Sequence, residues 1–178
     1  KILIGGAVAN TMLAAKGYRV EASRIEKDFI GQAKRFLRSV KILLPHDVVT
    51  SPNPHGKSRI SFRNARQVGS GEMILDIGPK TVAAYSRHIK KAGTVVWNGP
   101  MGLFELPPFA RGTEAIAQCI SRSKGYKVAG GGETGVTFKN LGLENAVNHL
   151  STGGGAMLEF LAGKKLPALV ALGYYSKK

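Results

Sequence analysis

Thr94-Val95-Val96-Trp97-Asn98-Gly99-Pro100-Met101-Gly102-Leu103-Phe104-Glu105 is a buried-strand pattern that runs into a stiff polar loop and ends on a carboxylate. An open parallel sheet presents groups to a ligand in this way, at the carboxyl ends of its strands. Two further strand exits repeat the device. Val128-Ala129 leads into Gly130-Gly131-Gly132-Glu133-Thr134, and residues 148–150 lead into Ser151-Thr152-Gly153-Gly154-Gly155-Ala156. Bare glycine amides at the start of a helix favour an anion, so three such exits point to a phosphate-bearing ligand.

Around these exits, short β-type runs alternate with helical ones. Strand patterns fall at residues 1–4, 41–44, 73–77, 94–97, 126–129 and 148–150. Helical periodicity falls at 8–16, 26–37, 80–91, 108–123, 134–141 and 154–161. On the second helix, Phe29, Ile30, Ala33, Phe36 and Leu37 share one face, and Gly78-Pro79 starts the third. Alternation of this kind predicts parallel strands joined by right-handed crossovers. The expected fold is α/β: a doubly wound, Rossmann-like parallel sheet of about six strands in a three-layer αβα arrangement. It forms one nucleotide-binding domain over residues 1–178, with an irregular excursion at about 51–71. Pro52 and Pro54 interrupt that excursion, and residues 59–63 alternate as in an exposed hairpin strand.

Composition narrows the class. The chain has 178 residues, 43% hydrophobic and 21% charged, as in a globular domain with its own core. No apolar run approaches the roughly 18 residues that span a bilayer, so no membrane association is expected. Lys1 opens on a strand pattern without a leader, which reads as an excerpt from a longer protein. The single cysteine, Cys119, excludes an internal disulfide and fits a reducing compartment, here the cytoplasm. Lys and Arg outnumber Asp and Glu by 26 to 11, a net charge of +15. That excess attracts polyanions. It is scattered, however, and densest between His55 and Arg66. No nucleic-acid module or stacking aromatic set accompanies it, so nucleic acid is not the expected partner.

The loops divide the chemistry. Gly5-Gly6-Ala7 turns the first strand into a helix. This turn is not GxGxxG, and the chain holds no GxxxxGK[ST], so neither the usual dinucleotide fingerprint at the first strand nor the usual P-loop is present. The absence of a G-x-S-x-G elbow argues against a serine hydrolase. Glu133 can hold a divalent cation, since Mg²⁺ favours oxygen ligands shared with substrate phosphates. Thr134 can cap its helix. Asn98 can donate to a phosphate, Pro100 stiffens the loop, and Glu105 can accept from ribose hydroxyls. Trp97 ends a buried strand and reads as packing. His46 and Asp47 lack a second histidine nearby for a metal site.

Taken together, these segments resemble the carboxyl-terminal, nucleotide-binding domain of the phosphoglycerate kinase family. The matching motifs are Leu3-Ile4-Gly5-Gly6, Leu44 through Val49, Leu75 through Thr81, Val95 through Glu105, Gly130 through Thr134 and Ser151 through Ala156. Leu158-Glu159 and Leu166 through Leu169 follow, all in the family's order. The resemblance implies phosphoryl transfer between 1,3-bisphosphoglycerate and ADP, giving 3-phosphoglycerate and ATP, with Mg²⁺ as cofactor and a monomeric protein. It implies that Gly5, Gly6 and Leu75 border the adenine and that Leu103 touches base or ribose. Glu105 would hold the ribose hydroxyls and Pro100 would line the ribose side. Asn98 and Thr134 would face phosphate, and Glu133 would bind the metal. Gly131, Gly132, Gly153 and Gly154 would offer amides near the transferring group and so count as the catalytic set.

Departures accompany the match. Ala7 replaces a usual glycine, and Glu133 a usual aspartate. Asn10 stands where an aromatic is common, and Arg24 where a leucine often lines the adenine pocket. The family's Gly-Ala-Lys segment and its amino-terminal, 3-phosphoglycerate-binding domain would precede Lys1, so the chain alone is expected to turn over nothing. A second reading stands beside the first: a non-catalytic nucleotide- or polyanion-binding module that keeps the fold. Magnesium-dependent binding of ADP separates the two.

Overall fold

The computed structural model describes residues 1–55 and 58–175. Gly56 and Lys57, part of the basic excursion, lie outside the described residues. The predicted alternation is present. In chain order the strands are β1 (Ile2–Leu3), β2 (Ile42–Leu43), β3 (Asp47–Ser51), β4 (Ser61–Asn64), β5 (Met73–Ile77), β6 (Thr94–Asn98), β7 (Tyr126–Gly130) and β8 (His149–Ser151). The α-helices are α1 (Gly6–Ala15), α2 (Ile30–Ser39), α3 (Pro79–Ile89), α4 (Arg111–Ser121), α5 (Gly132–Asn140), α6 (Gly154–Leu161) and α7 (Pro167–Ala171). Helices separate the strands of the parallel groups, as a Rossmann-like α/β fold requires. Among the described residues, no helix is long and apolar enough to cross a membrane.

Parallel pairing occurs in two groups. β1 pairs with β2, Ile2 opposite Ile42. β6, β7 and β8 pair in that order, with Trp97 opposite Ala129 and Gly130 opposite Ser151. The remaining strands correct the expectation of about six parallel strands. β5 does not join the parallel set; it pairs antiparallel with β3, which also carries β4 antiparallel on its other edge. β3 is absent from the strand patterns of the sequence, because Asp-Val-Val-Thr-Ser lacks a continuous apolar run. All five of its residues are nevertheless buried. The excursion supplies β4, so the expected hairpin is real and begins one strand earlier than its prolines suggest.

Asp47 explains why a charged residue is buried at the start of β3. Its carboxylate accepts hydrogen bonds from the Lys80 and Thr81 amides and the Thr81 hydroxyl, at 2.7–3.0 Å. These are first-turn groups of α3, so the helix is capped from a strand 33 residues upstream. Pro79 occupies the first helical position after Gly78, as predicted.

The main core lies where α3, α4 and α5 pack on β6 and β7. It contains Tyr85, Ile89, Trp97, Ile116, Ile120, Ala129 and Phe138. Trp97 meets Phe138 edge-on, with centroids 5.4 Å apart, so it packs as expected. The buried Tyr85 hydroxyl lies 2.8 Å from the carbonyls of Ile4 and Leu43, tying α3 to the ends of β1 and β2. A second core joins α1, Ile4 and Ala33 of α2. The predicted inner face of α2 is therefore only partly inward. Ala33 is buried, but Phe29, in the 3-10 turn at Lys27–Phe29 that precedes the helix, and Phe36, inside it, stay exposed.

In the antiparallel sheet, Glu72 is a second buried carboxylate with a full set of donors. Arg63 approaches it bidentately at 2.8 and 3.0 Å, the Thr50 hydroxyl at 2.7 Å and the Gly69 amide at 3.3 Å. The Arg63 hydrogen bonds, then that of Thr50, hold its pKa well down, at about 2. A depressed carboxylate stabilises the fold above its ordinary titration range, and that stability is lost as pH falls towards the folded value. The denaturant midpoint should therefore drop between about pH 4.5 and 2. Glu72→Gln should remove this acid-sensitive component and cost about 1–3 kcal/mol at neutral pH. An unchanged acid limb in the variant would show that Glu72 does not carry it.

Candidate functional site

A cleft of about 750 Å³ opens where the ends of β1, β5 and β6 meet the start of α1. Gly5, Gly6, Leu75, Asn98, Pro100, Leu103, Glu105 and Glu133 all line it, so eight of the predicted site residues share one concavity. They come from four segments that are distant in sequence.

The loop after β6 forms the wall, and hydrogen bonds hold it at successive points. The Gly99 amide donates to the Thr134 hydroxyl at 2.9 Å, and the Met101 amide to the Thr113 hydroxyl at 3.0 Å. The Met101 carbonyl accepts from the Gly6 amide at 2.8 Å, and the Leu103 amide donates to the Leu75 carbonyl at 2.7 Å. Pro100 and these ties make the wall rigid before any ligand arrives, which lowers the entropy lost on binding. Glu105 and Asn98 are exposed at its two ends, where they can meet polar groups of a ligand.

The two glycine clusters meet beside Asn98. Gly131 has φ +99°, a region that side chains rarely adopt, and its amide donates to the Ser151 carbonyl at 3.2 Å. A Cβ on Gly154 would lie 2.6 Å from Gly131 Cα and 2.7 Å from Asn98 Nδ2. The starts of α5 and α6 are thus pressed together at the carboxyl edge of β6–β8. The first amides of each helix have no partner within the helix, a geometry that favours an anion; the Gly131 amide, expected among the free ones, is instead taken by the Ser151 carbonyl. Gly132 and Gly153 are exposed along this rim. None of Gly131, Gly132, Gly153 or Gly154 lines the main cleft; they sit along the rim beyond Asn98.

Thr134 differs from its expected role as a cap. It is the third residue of α5, makes no cap hydrogen bond and is fully buried, its hydroxyl committed to Gly99. Its side chain holds the loop, leaving the backbone amide for an anion. Glu133, one position earlier, is exposed in the first turn of α5 and lines the cleft. Among the described residues, no cluster of three His, Cys, Asp or Glu could hold a metal. A lone carboxylate still fits Mg²⁺ shared with a polyphosphate, because that ion takes one or two carboxylates and fills its shell with phosphate oxygens and water.

Two residues of the cleft received no role from the sequence. Asp76, in β5, is buried, and its carboxylate accepts from the Gly112 amide at 2.7 Å and the Ile77 amide at 2.8 Å. Its only signal was a single acid inside an apolar strand. Asn10, on α1, lines the cleft and is buried; its Nδ2 donates to the Arg24 carbonyl at 3.3 Å. Arg24 also lines the cleft, at its exposed margin.

Comparison with known proteins accords with this geometry. The sequence profile of the family described as phosphoglycerate kinase matches residues 1–164. The chain is 46% identical over 176 residues to the phosphoglycerate kinase of Pelotomaculum thermopropionicum, covering 96% of this chain and 45% of that protein. It is 42% identical to that of Rubrobacter xylanophilus, covering 97% and 44%. Among solved structures, it superposes on phosphoglycerate kinase from Coxiella burnetii with a TM-score of 0.89 at 39% identity, covering 94% of this chain and 44% of that one. For phosphoglycerate kinase from Pyrococcus horikoshii the TM-score is 0.82 at 33% identity, covering 96% and 44%. The chain spans less than half the length of these relatives. Its sequence and its fold agree: the chain belongs to the phosphoglycerate kinase family.

Proposed function

We propose that the chain is the nucleotide-binding half of a phosphoglycerate kinase, holding Mg²⁺–ADP or Mg²⁺–ATP while a phosphoryl group passes between ADP and 1,3-bisphosphoglycerate. The carrying observation is the continuity of the apolar cleft at Gly5, Gly6, Leu75 and Leu103 with the amide rim at Gly132, Gly153 and Gly154, Asn98 standing at the junction. A nucleotide has that division: a flat apolar base at one end and a polyanion at the other. Glu105 would accept from the ribose hydroxyls and Pro100 would line the ribose face. Asn98 and the amide of Thr134 serve the phosphates.

Glu133 would hold Mg²⁺, which, when bound, neutralises phosphate charge and fixes its orientation. The extra methylene relative to aspartate lets the carboxylate reach the ion directly or through a water. Phosphoryl transfer depends on positioning and on charge stabilisation around the moving group. Arg24 is the one cation lining the cleft among the described residues. The chain alone is therefore expected to bind nucleotide and turn over none; 3-phosphoglycerate and the cations that receive it would belong to the other half of a complete kinase. A monomeric cytoplasmic protein goes with this reading.

Titration calorimetry with ADP, with and without Mg²⁺, tests it. Mg²⁺ should tighten ADP binding about tenfold, and Glu133→Ala should abolish that gain while leaving metal-free binding within about twofold, since the cation is shared between one carboxylate and the phosphates. Magnesium-independent binding, with equal affinity for unrelated polyanions, would instead favour a polyanion-binding module, the reading suggested by the +15 charge.

A further inference from the structure

The edge of the parallel strands opposite the cleft gathers cations. Lys1 precedes β1 and Lys41 precedes β2, side by side where the Ile2 amide donates to the Lys41 carbonyl at 3.1 Å. The last turn of α3 adds Arg87 and His88, and Lys90 and Lys91 follow it. His88 ties the group together. Its Nδ1 lies 3.1 Å from Lys1 Nζ, and its pKa is held down by partial burial and then by the charges of Lys1, Arg87, Lys91 and Lys41. The loop after α3 also meets the loop after α4. The Tyr126 amide donates to the Gly93 carbonyl at 2.8 Å, and a Cβ on Gly125 would strike the carbonyls of Ala92 and Gly93. Lys124 and Tyr126 therefore join the same edge.

The six cations Lys1, Lys41, Arg87, Lys90, Lys91 and Lys124 are exposed, and none takes part in an ion pair among the described residues. Acid is missing from every segment that supplies them: residues 1–20, 29–46, 77–104 and 115–132 hold no Asp or Glu. A helix carboxyl terminus favours nearby cations, which accounts for Arg87 and Lys90 but not for Lys1 and Lys41 at the starts of strands. Like charges collected without a counter-charge repel one another, and a polyanion relieves them. Tyr126 narrows the partner. It is 54% exposed, between Lys124 and Lys127 in sequence. A free polyphosphate makes no use of such a ring, whereas a base flanked by phosphates stacks on it. We propose that this edge binds single-stranded nucleic acid without regard to sequence, its phosphates on the lysines and a base stacked on Tyr126. The cations are scattered along the chain, so only the fold presents them as one surface. It lies at the opposite ends of the strands from the nucleotide cleft and does not depend on that reading.

Fluorescence anisotropy with a labelled oligothymidylate of about 15 nucleotides, in a salt series, tests the proposal. Wild type should bind, with log Kd rising against log salt at a slope of about 3, roughly four phosphates at about 0.7 each. Lys90→Gln with Lys91→Gln should weaken binding about tenfold and lower the slope by about 1.4. Tyr126→Ala should weaken it about fivefold or more with the slope unchanged, as loss of stacking does. Arg59→Gln with Arg66→Gln removes equal charge from the basic excursion and should leave affinity within about twofold, because salt screens distant charges. All the substituted side chains are exposed, so the variants keep the fold. By NMR, the His88 ring should titrate at higher pH when the oligonucleotide is bound, because phosphate offsets the four cations around it. The proposal fails if wild type does not bind at low salt, if the excursion pair weakens binding as much as the Lys90–Lys91 pair, or if Tyr126→Ala binds like wild type. It fails equally if the His88 titration does not move, or if a duplex of the same length or phosphatidylglycerol vesicles bind more tightly than the single strand.

Discussion

Gly154→Ala should weaken ADP binding at least tenfold and lower stability by about 1–3 kcal/mol, the usual range for overpacking. The new methyl would lie 2.6 Å from Gly131 Cα, 2.8 Å from its nitrogen and 2.7 Å from Asn98 Nδ2. Two of these atoms are backbone and cannot swing aside. Gly131 is held by its bond to the Ser151 carbonyl and by a φ of +99°, so relief must come from α6 moving away. That motion parts the two amide clusters and displaces Asn98, the three groups expected to hold one polyphosphate. Gly135→Ala is the control. Its methyl meets nothing within 4 Å, so it should leave binding intact and gain a few tenths to 1 kcal/mol from helix propensity. Calorimetry and denaturant titration of the two variants would separate a rim effect from a general response to alanine. Equal ADP affinity in Gly154→Ala and wild type would mean that the clusters do not act together.

Asp76 should make the protein more stable at pH 5 than at pH 8. Burial pushes its pKa up from 3.8 to about 7, against the downward pull of the Gly112 and Ile77 amides and with a small upward push from Glu114. A carboxyl whose folded pKa is raised binds its proton more tightly in the folded state. Stability is therefore greatest below the unfolded value and falls as pH climbs through about 4 to 7. The fall should be about 2–4 kcal/mol, since each tenfold gain in proton affinity corresponds to about 1.4 kcal/mol and relaxation of the site reduces the full figure. Asp76→Asn cannot ionise and should flatten this limb, leaving the midpoint at pH 5 close to that at pH 8. It should cost about 1–2 kcal/mol at acid pH, because the amide offers one acceptor to two donors. A variant that keeps the wild-type difference between pH 5 and pH 8 would assign the titration to another group. The slope has the opposite sign to that of Glu72, whose stabilisation is lost only on the more acidic side. The two carboxylates thus bound an optimum from either side.

The contrast between these carboxylates reflects their partners. Glu72 faces a guanidinium; Asp76 has only backbone dipoles in a closed space. Nothing in the neighbouring sequence names these partners. Glu72 follows a Gly-Ser-Gly turn and Asp76 sits inside an apolar strand, and the partners that set them apart, Arg63 and the Gly112 amide, are brought near by the fold. The same holds for Asn10, whose amide donates to a carbonyl 14 residues away, and for Thr134, whose hydroxyl is taken by a loop 35 residues upstream.

What the sequence determined by itself is the α/β class, the family, and eight of the residues that line the cleft. Each is written in a few consecutive positions: apolar periodicity sets strand or helix, and a glycine run at a strand exit requires a bare backbone beside a helix start. Only the tertiary structure decided that β5 runs antiparallel to β3, that Asp47 caps α3 from outside, and that the two glycine clusters touch. Those outcomes depend on which distant segments share hydrogen bonds and space. A buried polar group takes its meaning from the partner it finds across the fold, whereas local backbone preference is satisfied within a single turn.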